Sequence, residues 1–183
     1  MEKLIVKNSR QLNGIIKISG SKNASLPIMA ASLLSKNECI IKNIPELEDI
    51  KTMIKLLKNL GVKINKKGSC IRINSSRLNN YTADYELVRK MRASILVLGP
   101  LLARTKKAIV SLPGGCAIGT RPIDLHLFGM KKLGAIIVIK NGYVFAKAPR
   151  GLIGNNITFP SISVGATENV ILAATLARGK TVI

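Results

Sequence analysis

The sequence is poor in aromatic residues: it has no tryptophan, three tyrosines and three phenylalanines. Proteins that bind single-stranded nucleic acids stack the bases on aromatic side chains, so this scarcity argues against that function. The net charge of +20 would suit phosphate neutralisation, yet no basic run exceeds two residues. We interpret most lysines as a solvated surface whose field steers small anions, and we expect no nucleic-acid partner.

Long apolar runs are also missing. The run Leu96–Ala103 is too short to cross a bilayer and lies between Arg92 and Arg104. The start, Met1–Lys7, has neither an apolar signal core nor a cleavage site. We therefore expect a cytoplasmic protein without a membrane partner.

Cysteine and histidine are too few for a disulfide framework or a metal centre. Cys39, Cys70 and Cys116 are odd in number and far apart. The single histidine, His126, has no neighbouring metal-binding residues and fits a satisfied surface or core position better than a general base. No Walker-type or dinucleotide-binding glycine pattern occurs, so we expect no metal and no cofactor.

One cysteine lies in an unusual setting, the glycine-rich loop of residues 111–122 (SLPGGCAIGTRP). Glycines let a backbone approach a ligand closely, and a guanidinium beside a thiol favours the thiolate. Cys116, five positions before Arg121, is thus a candidate for chemistry on an anionic substrate. Cys39 and Cys70 lie among strand residues, and we interpret them as small hydrophobic core residues.

An internal repeat organises the chain. Three apolar segments that begin with alanine and a hydroxyl residue are predicted as helices: residues 24–33, 93–102 and 166–175. Each is followed by a polar turn and then by a β-branched pair, namely Ile40-Ile41, Ile109-Val110 and Val182-Ile183. Such repeats bury their apolar faces against one another, so the copies are expected to pack together.

The second half of the unit repeats as well. Helices are predicted over 49–61 and 123–134, each ending in Leu-Gly and each followed by a hairpin. The unit therefore consists of helix, strand, helix, strand and strand, which indicates an α/β fold. The third copy reaches Ile183 after its first helix and strand. We therefore expect a fragment of a longer protein or one half of a split one.

Four motifs resemble the enolpyruvyl transferases, in particular the branch that acts on UDP-N-acetylglucosamine. They are Ser21–Ala24, Met91–Ser94, Gly114–His126 and Ser163–Asn169, and the likeness covers essentially all 183 residues. The shikimate-pathway branch shares the repeated fold but lacks the cysteine loop. The resemblance implies an inside-out α/β barrel of two domains, here truncated in the third unit. Residues 1–20 would be a strand segment of the second domain, and residues 21–183 an incomplete transferase domain.

The resemblance also implies the reaction. Enolpyruvate would pass from phosphoenolpyruvate to the 3-hydroxyl of UDP-N-acetylglucosamine, the first committed step of peptidoglycan synthesis. Cys116 would donate a proton to the methylene carbon and would be alkylated by fosfomycin. Phosphoenolpyruvate would be bound by Lys22, Asn23 and Arg121. UDP-N-acetylglucosamine would be bound by Asn23, Arg92, Arg121, Pro122, Ile123, Asp124, Leu125, Ser163 and Val164.

Two departures from the family pattern leave alternatives open. Ser161 stands where relatives usually carry a lysine that contacts the diphosphate. The aspartate proposed to deprotonate the sugar hydroxyl belongs to the family's second half, so this chain alone is expected to be nearly inactive. It is then either the N-terminal part of a transferase completed by a separate C-terminal half, or a degenerate fragment that binds uridine sugars weakly. A basic nucleic-acid adaptor is a third, less favoured alternative.

Overall fold

The computed structural model describes residues 3–8, 11–113 and 122–183. The helices are α1 (Lys22–Ala31), α2 (Glu48–Asn59), α3 (Tyr85–Val88), α4 (Leu98–Thr105), α5 (Asp124–Lys132) and α6 (Val164–Ala174). Short 3₁₀ helices span Ser32–Leu34 and Arg92–Val97. The strands are β1 (Glu38–Ile41), β2 (Lys63–Lys67), β3 (Cys70–Asn74), β4 (Thr82–Ala83), β5 (Lys107–Ser111), β6 (Ile136–Lys140) and β7 (Tyr143–Lys147).

The predicted unit is confirmed twice over. One sheet has the strand order β1-β3-β2 and the other the order β4-β5-β7-β6. In each, the strand after the unit's first helix pairs antiparallel with the second strand of the hairpin, as Ile40 with Arg72 and Ile109 with Phe145. The helix predicted over residues 93–102 differs from the prediction at its start, because residues 92–97 form a 3₁₀ helix before α4 begins.

The Leu-Gly pairs end their helices in the same way. In α2 the N–H of Gly61 donates to the Lys58 carbonyl at 2.9 Å, and that of Val62 donates to Leu57 at 3.1 Å. These two bonds define a Schellman motif, which needs a left-handed residue after the helix. Gly61 has φ +92°, and Gly134 takes the equivalent position after α5 with φ +89°. The sequence prediction of these helix ends is confirmed.

The third unit begins as the second one does. Thr82 of β4 pairs in parallel with Ile109 of β5, and a parallel bridge likewise joins Asn156 to Val182. The predicted strand at Val182-Ile183 is thus an isolated bridge. The two-residue β4 and the short α3 were not predicted from the sequence, since neither has a periodic apolar pattern long enough to detect.

The core lies between the helices and one face of each sheet. Side chains alternate along the strands, so β3 buries Ile71 and Ile73 while Arg72 faces solvent. The helices contribute the largest wholly buried side chains, including Met53, Leu57, Leu98 and Leu101. The opposite sheet faces are more exposed, as Arg72 of β3 and Lys147 of β7 show.

Residues 3–8 and 11–20 form neither a helix nor a strand, and their large apolar side chains, such as Leu4 and Ile15, are 76–102% exposed. Their assignment to a second domain stays a prediction. No helix among the described residues has both the length and the apolar character needed to span a membrane.

Candidate functional site

A cavity of about 320 Å³ opens where the N-terminal ends of three helical segments meet beside the start of α5. The three are α1, the 3₁₀ helix Arg92–Val97 and α6, which are the beginnings of the three sequence repeats. Its polar lining comes from Asn23, Arg92, His126 and Glu168, and its apolar lining includes Leu26 and Leu96. The repeat thus brings equivalent helix starts to one place.

Serine caps set the first turns of two of these helices. Ser21 Oγ accepts a hydrogen bond from the N–H of Ala24 at 3.3 Å, and Ser163 Oγ accepts one from Ala166 at 3.3 Å. The remaining first-turn N–H groups have no partner within the helix and make a helix start attractive to anions. Of the residues predicted at these starts, Asn23 and Val164 reach the cavity wall, while Ser163 acts as the cap.

Lys22 is the first residue of α1, and its ammonium group is paired. Its Nζ lies 2.9 Å from a carboxylate oxygen of Asp49 at the start of α2, with side chains 44% and 34% exposed. A half-exposed ion pair of this kind is weak, so an anionic ligand can compete for the lysine. Asn23, the next residue, lines the cavity.

Arg92 links the cavity to the segment predicted to hold the uridine. Its Nη2 donates to the carbonyl of Pro122 at 3.4 Å. Pro122 and Asp124 are exposed, Ile123 is buried at the N-terminal end of α5, and Leu125 is half-buried. Pro122 therefore lies against the cavity's arginine, and residues 122–125 are not part of the cavity's lining.

Cys116 and Arg121 lie outside the described residues, and their predicted pairing stays a prediction. Cys39 and Cys70 were expected in the core, but both are half-buried. Their strand positions explain the correction, because Cys39 is on the edge strand β1 and Cys70 begins β3. Ser161, at the position of the family's lysine, is exposed two residues before the cap of α6.

The sequence analysis missed two residues of the cavity, His126 and Glu168. His126 is 6% exposed, and burial lowers the pKa of its imidazole to about 4, with a smaller contribution from the nearby Arg92 charge and an opposing one from Asp124. Burial raises the pKa of the Glu168 carboxyl above its usual range. Both residues stand inside motifs already noted, so their proximity to assigned residues was the available signal.

The cavity combines an arginine, helix starts, a neutral imidazole and a carboxyl of raised pKa. Cations and free backbone amides bind anionic groups, whereas the hydrogen-bonding groups suit hydroxyls. Within the described ranges no cluster of three or more histidine, cysteine or acidic residues could hold a metal ion. The arrangement therefore fits a small polar anion.

Fold and site together define a class. The family described as EPSP synthase (3-phosphoshikimate 1-carboxyvinyltransferase) matches residues 6–183, and the chain belongs to this family of enolpyruvyl transferases. Over its whole length it is 56% identical to the UDP-N-acetylglucosamine 1-carboxyvinyltransferase of Campylobacter fetus. It is 58% identical over 185 residues to the protein of that name from Pelagibacter ubique. The chain spans 44% of the length of each of these two relatives.

Solved structures confirm the fold. The enolpyruvyl transferase NikO from Streptomyces tendae superposes with a TM-score of 0.78 at 20% identity, covering 93% of this chain and 40% of NikO. EPSP synthase from Acinetobacter baumannii gives a TM-score of 0.70 at 18% identity, covering 92% of this chain and 39% of that one. The predicted α/β enolpyruvyl transferase fold is therefore confirmed over the part of the fold that the chain spans.

Proposed function

We propose that this chain supplies one wall of an active site that transfers enolpyruvate from phosphoenolpyruvate to the 3-hydroxyl of UDP-N-acetylglucosamine. The supporting observation is the meeting of Asn23, Arg92 and Val164 at one cavity, in a chain 56% identical to a relative named for that activity. We place the reaction in the cytoplasm, at the first committed step of peptidoglycan synthesis.

The chemistry requires a proton to be delivered to the methylene carbon of phosphoenolpyruvate while positive charge develops on the adjacent carbon. We assign the proton donor to Cys116. The sugar oxygen bonds to the cationic carbon as its hydroxyl proton passes to the aspartate of the family's second half, which gives a tetrahedral adduct. A methyl proton then returns to the Cys116 thiolate as phosphate leaves, and the double bond is restored. Lys22 and Arg121 hold the phosphate and carboxylate, because an ammonium group is a movable point charge and a planar guanidinium suits both anionic groups.

The uridine sugar is assigned to the other side of the same site. Arg92 and Asn23 face the sugar and its neighbouring charges, the segment Arg121–Leu125 holds the uridine, and Ser163 with Val164 contacts the diphosphate. The exposure of Pro122 and Asp124 and the start of α6 at Val164 support this assignment, because each is accessible to a ligand.

A second wall is needed for turnover. The chain spans 44% of its Campylobacter fetus relative, and transition-state stabilisation needs groups converging from both sides of the substrate. We propose that the 183-residue chain alone turns over almost no substrate, and that residues 1–20 pair with the second domain while residues 21–183 form the first. The exposed apolar side chains of the described N-terminal residues support that pairing.

The reactive thiol is tested by mass spectrometry after fosfomycin treatment, with and without UDP-N-acetylglucosamine. We expect labelling of Cys116, increased by the sugar nucleotide, over the matched internal controls Cys39 and Cys70. Equal labelling of all three, unaffected by the sugar nucleotide, would contradict the assigned site.

Completion in trans tests the reaction. The remaining C-terminal part of the Campylobacter fetus relative is added to the purified chain, and phosphate release from the two substrates is measured. We expect activity in the mixture, none from the chain alone, and none with Cys116→Ala. Sugar-nucleotide binding without phosphate release in any mixture would instead favour the degenerate fragment. Turnover by the chain alone, near that of a full-length relative, would refute the need for a second wall.

A further inference from the structure

Asn169 of α6 follows the cavity-lining Glu168 and has no exposed surface. Its Oδ1 accepts a hydrogen bond from the N–H of Gly99 at 2.9 Å, and its Nδ2 donates to the carbonyl of Ile95 at 3.0 Å. A backbone N–H can only donate and a carbonyl can only accept. The two backbone partners therefore fix which end of the amide is oxygen and which is nitrogen.

That orientation determines the protonation of His126. The Asn169 Nδ2 lies 3.1 Å from the His126 Nδ1, and an amide NH₂ group can only donate. The Nδ1 must then accept, so it carries no proton. In a neutral imidazole the single proton consequently resides on Nε2.

Burial and the Arg92 charge also favour the neutral imidazole, and Asp124 opposes them. Protonation would place an Nδ1–H against the Asn169 NH₂ group and lose the hydrogen bond. Arg92, which lines the same cavity, opposes a second positive charge, while Asp124 on the histidine's own helix favours one. Glu168 also lines the cavity, and burial raises the pKa of its carboxyl. Burial of the imidazole adds to the preference for the neutral ring.

The protonated edge of the ring lies beside the cavity wall. A Cβ added at Gly165 would lie 3.6 Å from Nε2 and 3.5 Å from Cε1, and both Gly165 and His126 line the cavity. Glycine at this first turn of α6 therefore leaves the Nε2 edge uncovered by a side chain at that position.

We propose that Asn169 is a positioning residue that holds His126 as the neutral Nε2–H tautomer, giving the cavity a hydrogen-bond donor of fixed orientation for an acceptor oxygen of the substrate. The identity of that substrate, UDP-N-acetylglucosamine, rests on the proposed function, whereas the tautomer does not. A hydroxyl or ammonium donor would rotate freely, but a ring fixed at Nδ1 presents its proton in one direction.

The tautomer is measured directly, because His126 is the only histidine of the chain. A long-range ¹H–¹⁵N correlation spectrum of the 183-residue protein at pH 7 is expected to show a non-protonated Nδ1 and a protonated Nε2. An Nδ1–H tautomer or a fully protonated ring at pH 7 would overturn the proposal. This measurement needs no variant and no ligand.

The variant Asn169→Asp provides a second test of the proposal. Its carboxylate would accept a hydrogen bond from the His126 Nδ1, whereas the amide NH₂ group donates one. We expect the Nδ1 to become protonated in the variant. The matched control is Asn155→Asp, which makes the same change at an exposed amide whose Nδ2 donates to Lys132 at 2.9 Å. That control is expected to keep the wild-type tautomer. An unchanged tautomer in a folded Asn169→Asp variant would refute the positioning role.

Titration with UDP-N-acetylglucosamine tests the donor. We expect the Nε2 and Hε2 resonances to shift on binding, and the dissociation constant to rise about tenfold in Asn169→Asp, as for one lost hydrogen bond of about 1.4 kcal/mol. Binding that leaves both resonances unmoved would refute the donor role. Absence of binding to the wild-type chain with the expected tautomer present would count against the proposed function and leave the tautomer assignment intact.

Discussion

At the scale of single residues, the cavity limits the repulsion between its own polar groups. Arg92 supplies positive charge, while burial keeps His126 neutral by lowering its pKa to about 4. Burial also raises the pKa of the Glu168 carboxyl. Among the described residues that line the cavity, Arg92 is the cationic one.

The depressed histidine pKa predicts a pH-dependent stability. The unfolded histidine, with a pKa near 6.5, binds more protons than the folded one, whose pKa is about 4. The contribution of His126 is therefore fully present above pH 6.5 and is lost as the pH falls towards about 4. At most it amounts to about 3–4 kcal/mol, at roughly 1.4 kcal/mol per pKa unit.

Urea unfolding of the wild type and of His126→Gln across this pH range measures the effect. The glutamine variant cannot titrate at this position, so the difference between the two curves isolates the histidine. We expect the wild-type free energy of unfolding to fall more steeply with acid than that of the variant. Parallel curves would contradict a neutral, buried imidazole.

At the scale of elements, the same Leu-Gly ending stops two helices but in different surroundings. Gly61 and Gly134 both have positive φ, of +92° and +89°. A Cβ at Gly134 would meet nothing within 4 Å, whereas one at Gly61 would meet the exposed Asn79 amide at 2.1 Å and the Arg77 carbonyl at 3.0 Å. The Asn79 side chain can move aside, but the backbone carbonyl cannot do so easily.

Replacing each of these two glycines by alanine is predicted to separate the cost of a left-handed backbone from the cost of crowding by the added Cβ. Gly134→Ala should lower the free energy of unfolding by about 1–2 kcal/mol through left-handed strain alone. Gly61→Ala should lower it further, because its Cβ also presses on the Arg77 carbonyl. Gly14→Ala is the control, since its Cβ meets nothing within 4 Å and its φ is not positive. Equal losses at the two helix ends would show that crowding contributes nothing.

At the scale of the whole molecule, Arg104 joins the second repeat unit to the first by hydrogen bonds. From α4 of the second unit its Nη1 donates to the carbonyls of Leu33 at 2.7 Å and Ser35 at 2.8 Å, and its Nη2 donates to Ser75 at 3.3 Å. All three carbonyls belong to the first unit. Charge-assisted bonds of this kind are stronger than neutral ones.

Arg104→Leu is expected to lower the free energy of unfolding by about 2–4 kcal/mol, because it removes charge-assisted bonds and leaves partly buried carbonyls without their donor. The control is Arg89→Leu, whose guanidinium bonds the exposed Glu86 one turn away at 2.8 Å and should contribute less than about 1 kcal/mol. Thermal and urea unfolding measure both variants. A similar small loss in each would mean that the two repeats are held together by apolar packing alone.

Much of the fold could be predicted from the sequence because its signals are local. Apolar spacing identified α2, and the Asn141-Gly142 turn identified the hairpin of β6 and β7, with both residues at positive φ. The short β4 could not be predicted, since a two-residue strand exists only through its pairing with β5. The half-buried state of Cys39 likewise depends on its place at a sheet edge.

The candidate site was predicted less completely, because part of it depends on residues that are distant in the sequence. Asn23, Arg92 and Val164 lie at repeated helix starts, a pattern visible along the chain, and the structure brings all three to one cavity. His126 carried no local signal of its tautomer, because that state depends on Asn169 of another helix. Sequence patterns report neighbours along the chain, whereas a hydrogen-bond donor is assigned by neighbours in space.

The sequence by itself determined the repeated unit, its helix ends, its hairpins and the family motifs, because capping, turn chemistry and side-chain periodicity act over a few residues. The tertiary structure alone decided that the three repeat starts surround a common cavity, and that a buried asparagine bonded to two backbone groups sets the proton on the only histidine. Burial and hydrogen-bond direction arise only when distant segments pack, and these two quantities govern the chemistry of the site.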